Sequence, residues 1–257
     1  MSLTSITATV TNDPYNGGIV ISSEAAVDEI GDVKYIFIRR KKHNESIMNF
    51  VNCKQLDITI LEDLNFQYLD ITSVAGTYYD YRIRILDADG VELETQLFEN
   101  VLCDFRGLFV GNTYAWYQAG TNFSTETNTV QQVEYVKTLK GKYPYRVANS
   151  STNYYTGTSS GLFLPITDDR STFIPDMYNE FSSEVLDFLR DGTSKVVKTH
   201  DGQIWYVSID DGPHKIYSQF WGNNAIEFKW TEIGSIKELE NDMLAPFYRR
   251  NADIHKY

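Results

Sequence analysis

The amino-acid sequence predicts a mainly β protein of two domains that opens with a β-sandwich. Three observations carry this expectation. From the start to about Cys103, short strand-like runs recur at regular spacing, broken by Asn12-Asp-Pro14, Asn16-Gly-Gly18, the Asp28 to Asp32 stretch and Asp87-Ala-Asp-Gly90. The 257 residues include 18 Tyr, 14 Phe and 4 Trp, side chains that favour strands and also anchor interfaces. Beyond Arg106 the texture shifts to aromatic, Thr- and Asn-rich sequence with sparse charge, which places a domain boundary near residue 104, and a chain of this length suits two cores.

In chain order, the first domain is expected to hold strands at Ile6 to Val10, Gly18 to Ser22, Val33 to Arg39, Leu56 to Leu61, Phe66 to Ile71, Tyr79 to Leu86 and Val91 to Phe98. The strongest of these signals is Gly76-Thr-Tyr-Tyr-Asp-Tyr-Arg-Ile-Arg-Ile-Leu-Asp-Ala-Asp-Gly90. In it Tyr79, Tyr81, Ile83 and Ile85 point to a core, while Asp80, Arg82 and Arg84 point to water. Asp89-Gly90 supplies the turn into the next strand. The basic run Arg39 to Lys42 reads as a solvated turn.

In the second domain, strands are expected at Leu108 to Tyr117, Val130 to Leu139 and Tyr145 to Ala148, with Pro144 ending or edging its strand. Pro175 opens a helix over Asp176 to Arg190, where Met177, Phe181, Val185, Leu186 and Leu189 recur at helical spacing and Gly192 closes it. Lys195 to Lys198, the His200-Asp-Gly202 turn and Gln203 to Ile209 read as a hairpin with a type I′ turn. Ile226 to Ile233 is the last strand. A short polar helix from Ser235 to about Leu244 and a charged tail beyond Pro246 follow, the tail expected to dock on a partner or fray.

Composition narrows the function classes. A formal charge of -12 and a pI near 4.8 argue against nucleic-acid binding, which needs clustered Lys and Arg. Cys53 and Cys103 are too few for a disulfide framework and read as free thiols, a single bridge staying open. The start, Met1-Ser-Leu-Thr-Ser-Ile-Thr-Ala8, lacks the pattern of a secretory signal, and no stretch reaches the roughly 18 apolar residues of a membrane span. Synthesis in a cytoplasm follows, and the sequons at Asn44, Asn122 and Asn149 are then accidental.

Motifs that could carry chemistry are weak. Gly157-Thr-Ser-Ser-Gly161 has the letters of a nucleophile elbow, but Leu-Phe-Leu-Pro165 follows instead of a helix, so Ser159 is expected in a flexible loop without a catalytic role. His43, His200, His214 and His255 have no metal-ligand spacing, and His200 and His214 sit beside turns where solvent exposure is expected. Asp87 to Gly90 begins like a calcium loop but runs straight into a strand, so it is a turn. Paired carboxylates are uninformative among 35 Asp and Glu. No enzyme and no cofactor are therefore expected, and metal sites are expected to be absent. Tyr114, Trp116, Tyr117, Tyr154 and Tyr155 are the candidate interface residues, with Trp205 and Tyr206 as further aromatics; half-buried strand positions are the bland reading of each.

Two resemblances sharpen these expectations. The Gly76 to Ile85 segment resembles the Gly-Thr-x-Tyr-x-Val-x-Val stretch of fibronectin type III domains, with Tyr79 in the place of the tyrosine-corner residue. That implies a fibronectin type III-like sandwich over 1–103, of a kind that acts as a spacer or adhesion module. Three further segments resemble the tail-hub and distal-tail proteins of long-tailed bacteriophages of Gram-positive hosts. They are Lys140-Gly-Lys-Tyr-Pro-Tyr-Arg-Val-Ala-Asn149 with Asn153-Tyr-Tyr-Thr-Gly157, then Phe188-Leu-Arg-Asp-Gly-Thr-Ser-Lys-Val-Val-Lys198 with Asp201-Gly-Gln-Ile-Trp-Tyr-Val207, and lastly Trp230-Thr-Glu-Ile-Gly234. This resemblance implies a β-barrel with one helical insertion over 104–236, followed by a C-terminal helix and tail over 237–257. It also implies a structural part of a virion tail or baseplate, assembled as a homo-oligomeric ring, hexamer favoured, with other tail proteins as partners. The alternative is a receptor-binding module at the tail tip that takes host cell-surface carbohydrate.

Overall fold

The computed structural model describes residues 6–25, 32–112, 114–137, 145–165, 174, 177–210, 212–216, 224–236 and 249–250. Its chain divides into two compact units, one drawn from Met1–Gln118, Val196–Trp205 and Ser235–Tyr257, the other from Ala119–Lys195 and Tyr206–Gly234. Among the described residues no helix is long and apolar enough to cross a membrane.

In the first unit, β1 (Ile6–Asp13) pairs with β2 (Gly18–Ala25) in a complete antiparallel register from Ile6↔Ala25 to Asp13↔Gly18. The turn between them needs positive φ at Gly17 and Gly18, which glycine alone adopts without strain. A second antiparallel sheet has β3 (Tyr35–Lys42) between β4 (Val51–Asp57) and β6 (Tyr78–Leu86), with β7 (Glu92–Leu102) on the outer side of β6. β5 (Phe66–Asp70) joins the first sheet beside β2, and the two-residue β16 (Arg249–Arg250) pairs with β5. The apolar faces meet in a core that includes Ile19, Ile21, Ile36, Ile38, Phe66, Tyr81 and Ile83, all at most 2% exposed. One side-chain amide ties the sheets at their rim, Gln96 Oε1 accepting from Ala8 N (3.1 Å) and Gln96 Nε2 donating to Ile6 O (2.5 Å).

The Tyr79 hydroxyl accepts the Val74 backbone N–H at 3.0 Å, five residues upstream. Tyr79→Phe keeps the ring and leaves that N–H without its acceptor, so a loss of about 1–2 kcal/mol is expected in chemical denaturation at an unchanged slope.

Several expectations are corrected here. Arg39 to Lys42 is not a solvated turn, since β3 runs to Lys42 and alternation sends Arg40 into the core, where its guanidinium meets Asp70 Oδ2 at 2.5 Å. Asp80 is not wet: it is 2% exposed and accepts bonds from Lys41 Nζ, from the Asn100 amide (2.9 Å) and from His43 (2.6 Å). Burial pushes the Asp80 carboxyl up, but these donors outweigh it and hold it below its ordinary value. The fourth strand ends at Asp57, not Leu61. The Asp63 carboxylate draws in the amides of Thr59 (2.9 Å) and Ile60 (3.0 Å), curling the chain into a 3-10 turn over Leu61–Leu64.

The stretch expected as one strand over Leu108 to Tyr117 is two, β8 (Leu108–Gly111) and β9 (Trp116–Ala119). Between them Asn112 Oδ1 takes the amides of Tyr114 (2.8 Å) and Ala115 (3.0 Å), a side-chain turn that the aromatic pattern hides. β12 (Lys195–Thr199) pairs with β8, and its Lys198 is 1% exposed, donating to the carbonyls of Gly17 and Ser73 above the rings of Phe105 and Phe109. Burial lowers that ammonium to about 8. The following loop is not a type I′ turn. Gly202 has φ 88° and Asp201 does not enter positive φ, and the pair Thr199 N to Gln203 O and Gly202 N to Thr199 O closes a three-residue loop with glycine at its left-handed position.

In the second unit, β10 (Thr121–Val136) pairs with β11 (Tyr145–Leu162), β11 with β15 (Ala225–Gly234), and β15 with both β13 (Ile204–Ile209) and the short β14 (His214–Ile216). All pairings are antiparallel, and the described strands do not close into a barrel. β11 replaces the expected Tyr145 to Ala148 strand and extends through Gly161, so the Ser159 segment is a strand and not a loop. The helix α1 (Tyr178–Arg190) buries Tyr178, Ser182, Val185, Leu186, Phe188 and Leu189; Met177, expected on that face, is exposed just before it. Asp191 Oδ1 and Gly192, at φ 75°, end the helix: the carboxylate takes Thr193 N (2.7 Å), Thr193 Oγ1 (2.8 Å) and the buried Lys195 Nζ (2.5 Å). The expected helix from Ser235 to Leu244 lies outside the described residues beyond Ile236, as do Pro144 and His255.

Candidate assembly surface

β10 and β11 form a ribbon far longer than the rest of the sheet. At about 3.4 Å per residue the 16 residues of β10 extend about 54 Å. β15 covers β11 only from Thr156 to Gly161, so from Tyr145 to Tyr155 that strand has β10 as its one neighbour among the described residues. The base is firmly held: the Tyr155 amide donates to Glu232 Oε2 at 2.9 Å, where the backbone ladder to β15 stops. Cross-strand hydroxyl pairs, Ser124 with Ser160 (2.9 Å) and Thr125 with Ser159 (3.2 Å), secure the start of β10. Beyond Gln131 the register jumps from Gln131↔Asn153 to Gln132↔Asn149, a bulge that re-aims the distal half.

Nothing in its sequence protects this ribbon's outer edge. Long strand edges are usually blunted with Lys, Pro or a short length, yet Thr121–Val136 contains no Lys, Arg or Pro and only Glu126 and Glu134 as charges. Tyr135 is 64% exposed and Tyr155 43%. A two-stranded ribbon is marginal by itself, so a partner strand or surface would complete it.

The sequence-derived interface residues fall in two places. Tyr114 is exposed on the Asn112 turn, whereas Trp116 and Tyr117 are half-buried on β9, with Trp116 Nε1 donating to Asn16 Oδ1 at 2.6 Å; these three belong to the first unit. Tyr154 and Tyr155 lie on β11 in the second unit, opposite Val130 and Thr129. Trp205 is buried and Tyr206 half-buried. Sequence reasoning missed Tyr135 and the length of the ribbon; the long run of Thr, Asn and Ser without Lys or Pro was the signal that could have found it.

Ser159 is fully buried, its hydroxyl accepting Trp230 Nε1 at 2.9 Å, so it has no path to a substrate. His200 and His214 are exposed. A cleft of about 510 Å³ lies beside the end of α1, lined by Arg190, Thr193, Ser208 and Asp210 among others. Its polar groups are engaged from within: Arg190 donates to Pro213 O (2.5 Å) and Asp210 accepts from Thr231 Oγ1 (2.8 Å).

The strands define a mainly β protein with several antiparallel sheets and one helix among its described residues. No protein-family model matches the chain, and no curated protein matches it. Among solved structures, it is similar to a chain from the virion of a native gene transfer agent (GTA) particle, over 50% of this chain and 92% of that one, at 13% identity and a TM-score of 0.31.

Proposed function

We propose that the chain is a non-catalytic structural component of a phage-type virion tail or baseplate. It assembles with copies of itself into a ring or adaptor that links the tail tube to tip or receptor-binding proteins. The single observation that carries self-assembly is the β10–β11 ribbon, whose long outer edge has no neighbouring strand among the described residues and would be satisfied by strand addition from another copy. The tail-hub assignment rests on the sequence resemblance, and the places of its motifs support it. Asn153–Gly157, Ile204–Val207 and Trp230–Gly234 lie on the neighbouring strands β11, β13 and β15, with Gly157 opposite Trp230 and Val207 opposite Glu232. In this reading 1–103 is the fibronectin type III-like sandwich, supported by seven strands in two sheets and the Tyr79 bond. Residues 104–236 are the barrel-type hub domain with α1 as its insertion, and 237–257 are the tail.

Copies meeting through different surfaces close into a ring when the rotation allows, so mass photometry of the full chain should give one discrete multiple, six being favoured by the resemblance. Thr129→Lys with Tyr135→Lys places two cations on the exposed ribbon. It should leave the thermal midpoint nearly unchanged and shift assembly to at least tenfold higher concentration. A strict monomer at high concentration for the unaltered chain overturns the ring.

A further inference from the structure

The outer face of the sheet β4-β3-β6-β7 concentrates positive charge in a chain whose net charge is -12. Arg39 on β3 stands directly opposite Arg82 on β6, and Phe37 opposite Arg84, so three guanidiniums occupy adjoining positions. Like charges placed directly across a sheet are destabilising. Among the described residues, counter-charges reach only part of the group. Arg84 Nε pairs with Glu92 Oε2 at 2.5 Å, and Lys41, one step along the same face, is taken by Asp80. Among the described residues Arg39 Nε donates to the neutral amide oxygen of Asn52, at 2.5 Å, and to no carboxylate. Arg82 stacks over the Phe50 ring at 4.8 Å, and its buried Nε has no hydrogen-bond partner among the described residues. Burial, and then the neighbouring charges of Arg82 and Arg84, hold the Arg39 guanidinium below its ordinary value.

The same face carries aromatic and aliphatic surface. Tyr35 and Phe37 are half-buried, with ring centroids 6.4 Å apart, and Leu97, opposite Arg82 on β7, is 52% exposed. Arginine beside Tyr and Phe is the composition that dominates binding energy at protein interfaces, where the planar guanidinium takes carboxylates through paired N–H donors. Among the described residues, no carboxylate lies within ion-pair distance of the adjacent Arg39 and Arg82 guanidiniums, and on such a face they form a surface suited to an anion.

We infer that this sandwich face docks carboxylate side chains, and that its occupant is the acidic surface of a second copy of this chain. The inference rests on the self-assembly proposed above. Charge complementarity selects the occupant: every copy brings a surplus of twelve negative charges to meet this local surplus of positive ones. Contact between unlike surfaces of two copies is also the kind that closes a ring.

The test is Arg39→Gln with Arg82→Gln in the full chain, beside Arg39→Lys with Arg82→Lys, followed by mass photometry over a salt series. The expected result is assembly at least tenfold weaker for the Gln pair and intermediate for the Lys pair, which keeps the charge but loses the fork. Unaltered protein should itself weaken toward about 1 M salt, where the screening length falls to about 3 Å. If the unaltered chain assembles but is insensitive to salt, the inference falls while the ring stands, and that measurement holds even if the Gln pair folds poorly. Salt-sensitive assembly that both pairs leave unchanged, with unaltered thermal midpoints, equally overturns it. A chain monomeric under every condition overturns the ring and this contact together.

Discussion

Asp70→Ala is expected to destabilise the first unit by about 3–5 kcal/mol, because it removes the carboxylate that the buried Arg40 guanidinium pairs with. Asp70 is fully buried and Arg40 6% exposed. The carboxylate accepts from Arg40 (2.5 Å), Tyr81 Oη (2.6 Å), Thr72 Oγ1 (2.8 Å) and the Thr72 amide (3.1 Å), so its acceptor sites are filled. Burial pushes this carboxyl up, but the Arg40 charge and the hydrogen bonds from Tyr81, Thr72 and Arg40 outweigh it and leave it below its ordinary value. The folded value thus lies under the unfolded one of about 3.9, so the stabilisation is complete above that pH and disappears as pH falls through the folded value. In urea denaturation the gap between Asp70→Ala and the unaltered protein should therefore narrow below about pH 4. Replacing both partners, Asp70→Leu with Arg40→Met, should cost far less than Asp70→Ala alone, since no lone charge remains inside. A double variant as unstable as the single one would show that the two groups are not coupled.

That pair also marks where the sequence could be read and where it could not. The alternation of Tyr79, Tyr81, Ile83 and Ile85 fixed the inner face of β6, and all four are buried. Turn residues located most strand ends within a few positions. Arg40 was misread because four consecutive basic residues resemble a solvated turn, while strand alternation puts every second one inward and a core carboxylate thirty positions away makes that tolerable. Lys198 and Lys195, 1% and 0% exposed, were hidden for the same reason: their partners are loop carbonyls and a helix-end carboxylate that only the folded chain brings near. The full length of the ribbon escaped notice because its exposed runs of Ser and Asn, weak strand formers, look like loops; pairing along β10 makes that stretch extended. Among the candidate aromatics Trp116, Tyr117, Tyr154 and Tyr206 are half-buried and Tyr114 and Tyr155 exposed, but sequence spacing could not say which of them share a surface.

The register of β11 against β15 sets Gly157 opposite Trp230, and these two residues test it. A Cβ on Gly157 would lie 2.3 Å from Trp230 Cζ2 and 2.7 Å from the Glu126 carbonyl oxygen, so the position is glycine for lack of space, not for backbone conformation. Trp230 cannot yield, being fully buried with its Nε1 on Ser159. Gly157→Ala is therefore expected to cost about 1–3 kcal/mol or more by overpacking, and Trp230→Ala about 3–5 kcal/mol through the cavity it opens and the lost partner of Ser159. The two costs should not add. In the Trp230→Ala background the methyl group of Gly157→Ala enters the vacated space, and only the clash with the Glu126 carbonyl persists, so the double variant should be more stable than the sum of the single ones predicts by at least 1 kcal/mol. Strictly additive costs would sink this packing, because a one-residue slip of either strand sends Gly157 and Trp230 to opposite faces of the sheet and leaves them nothing to share.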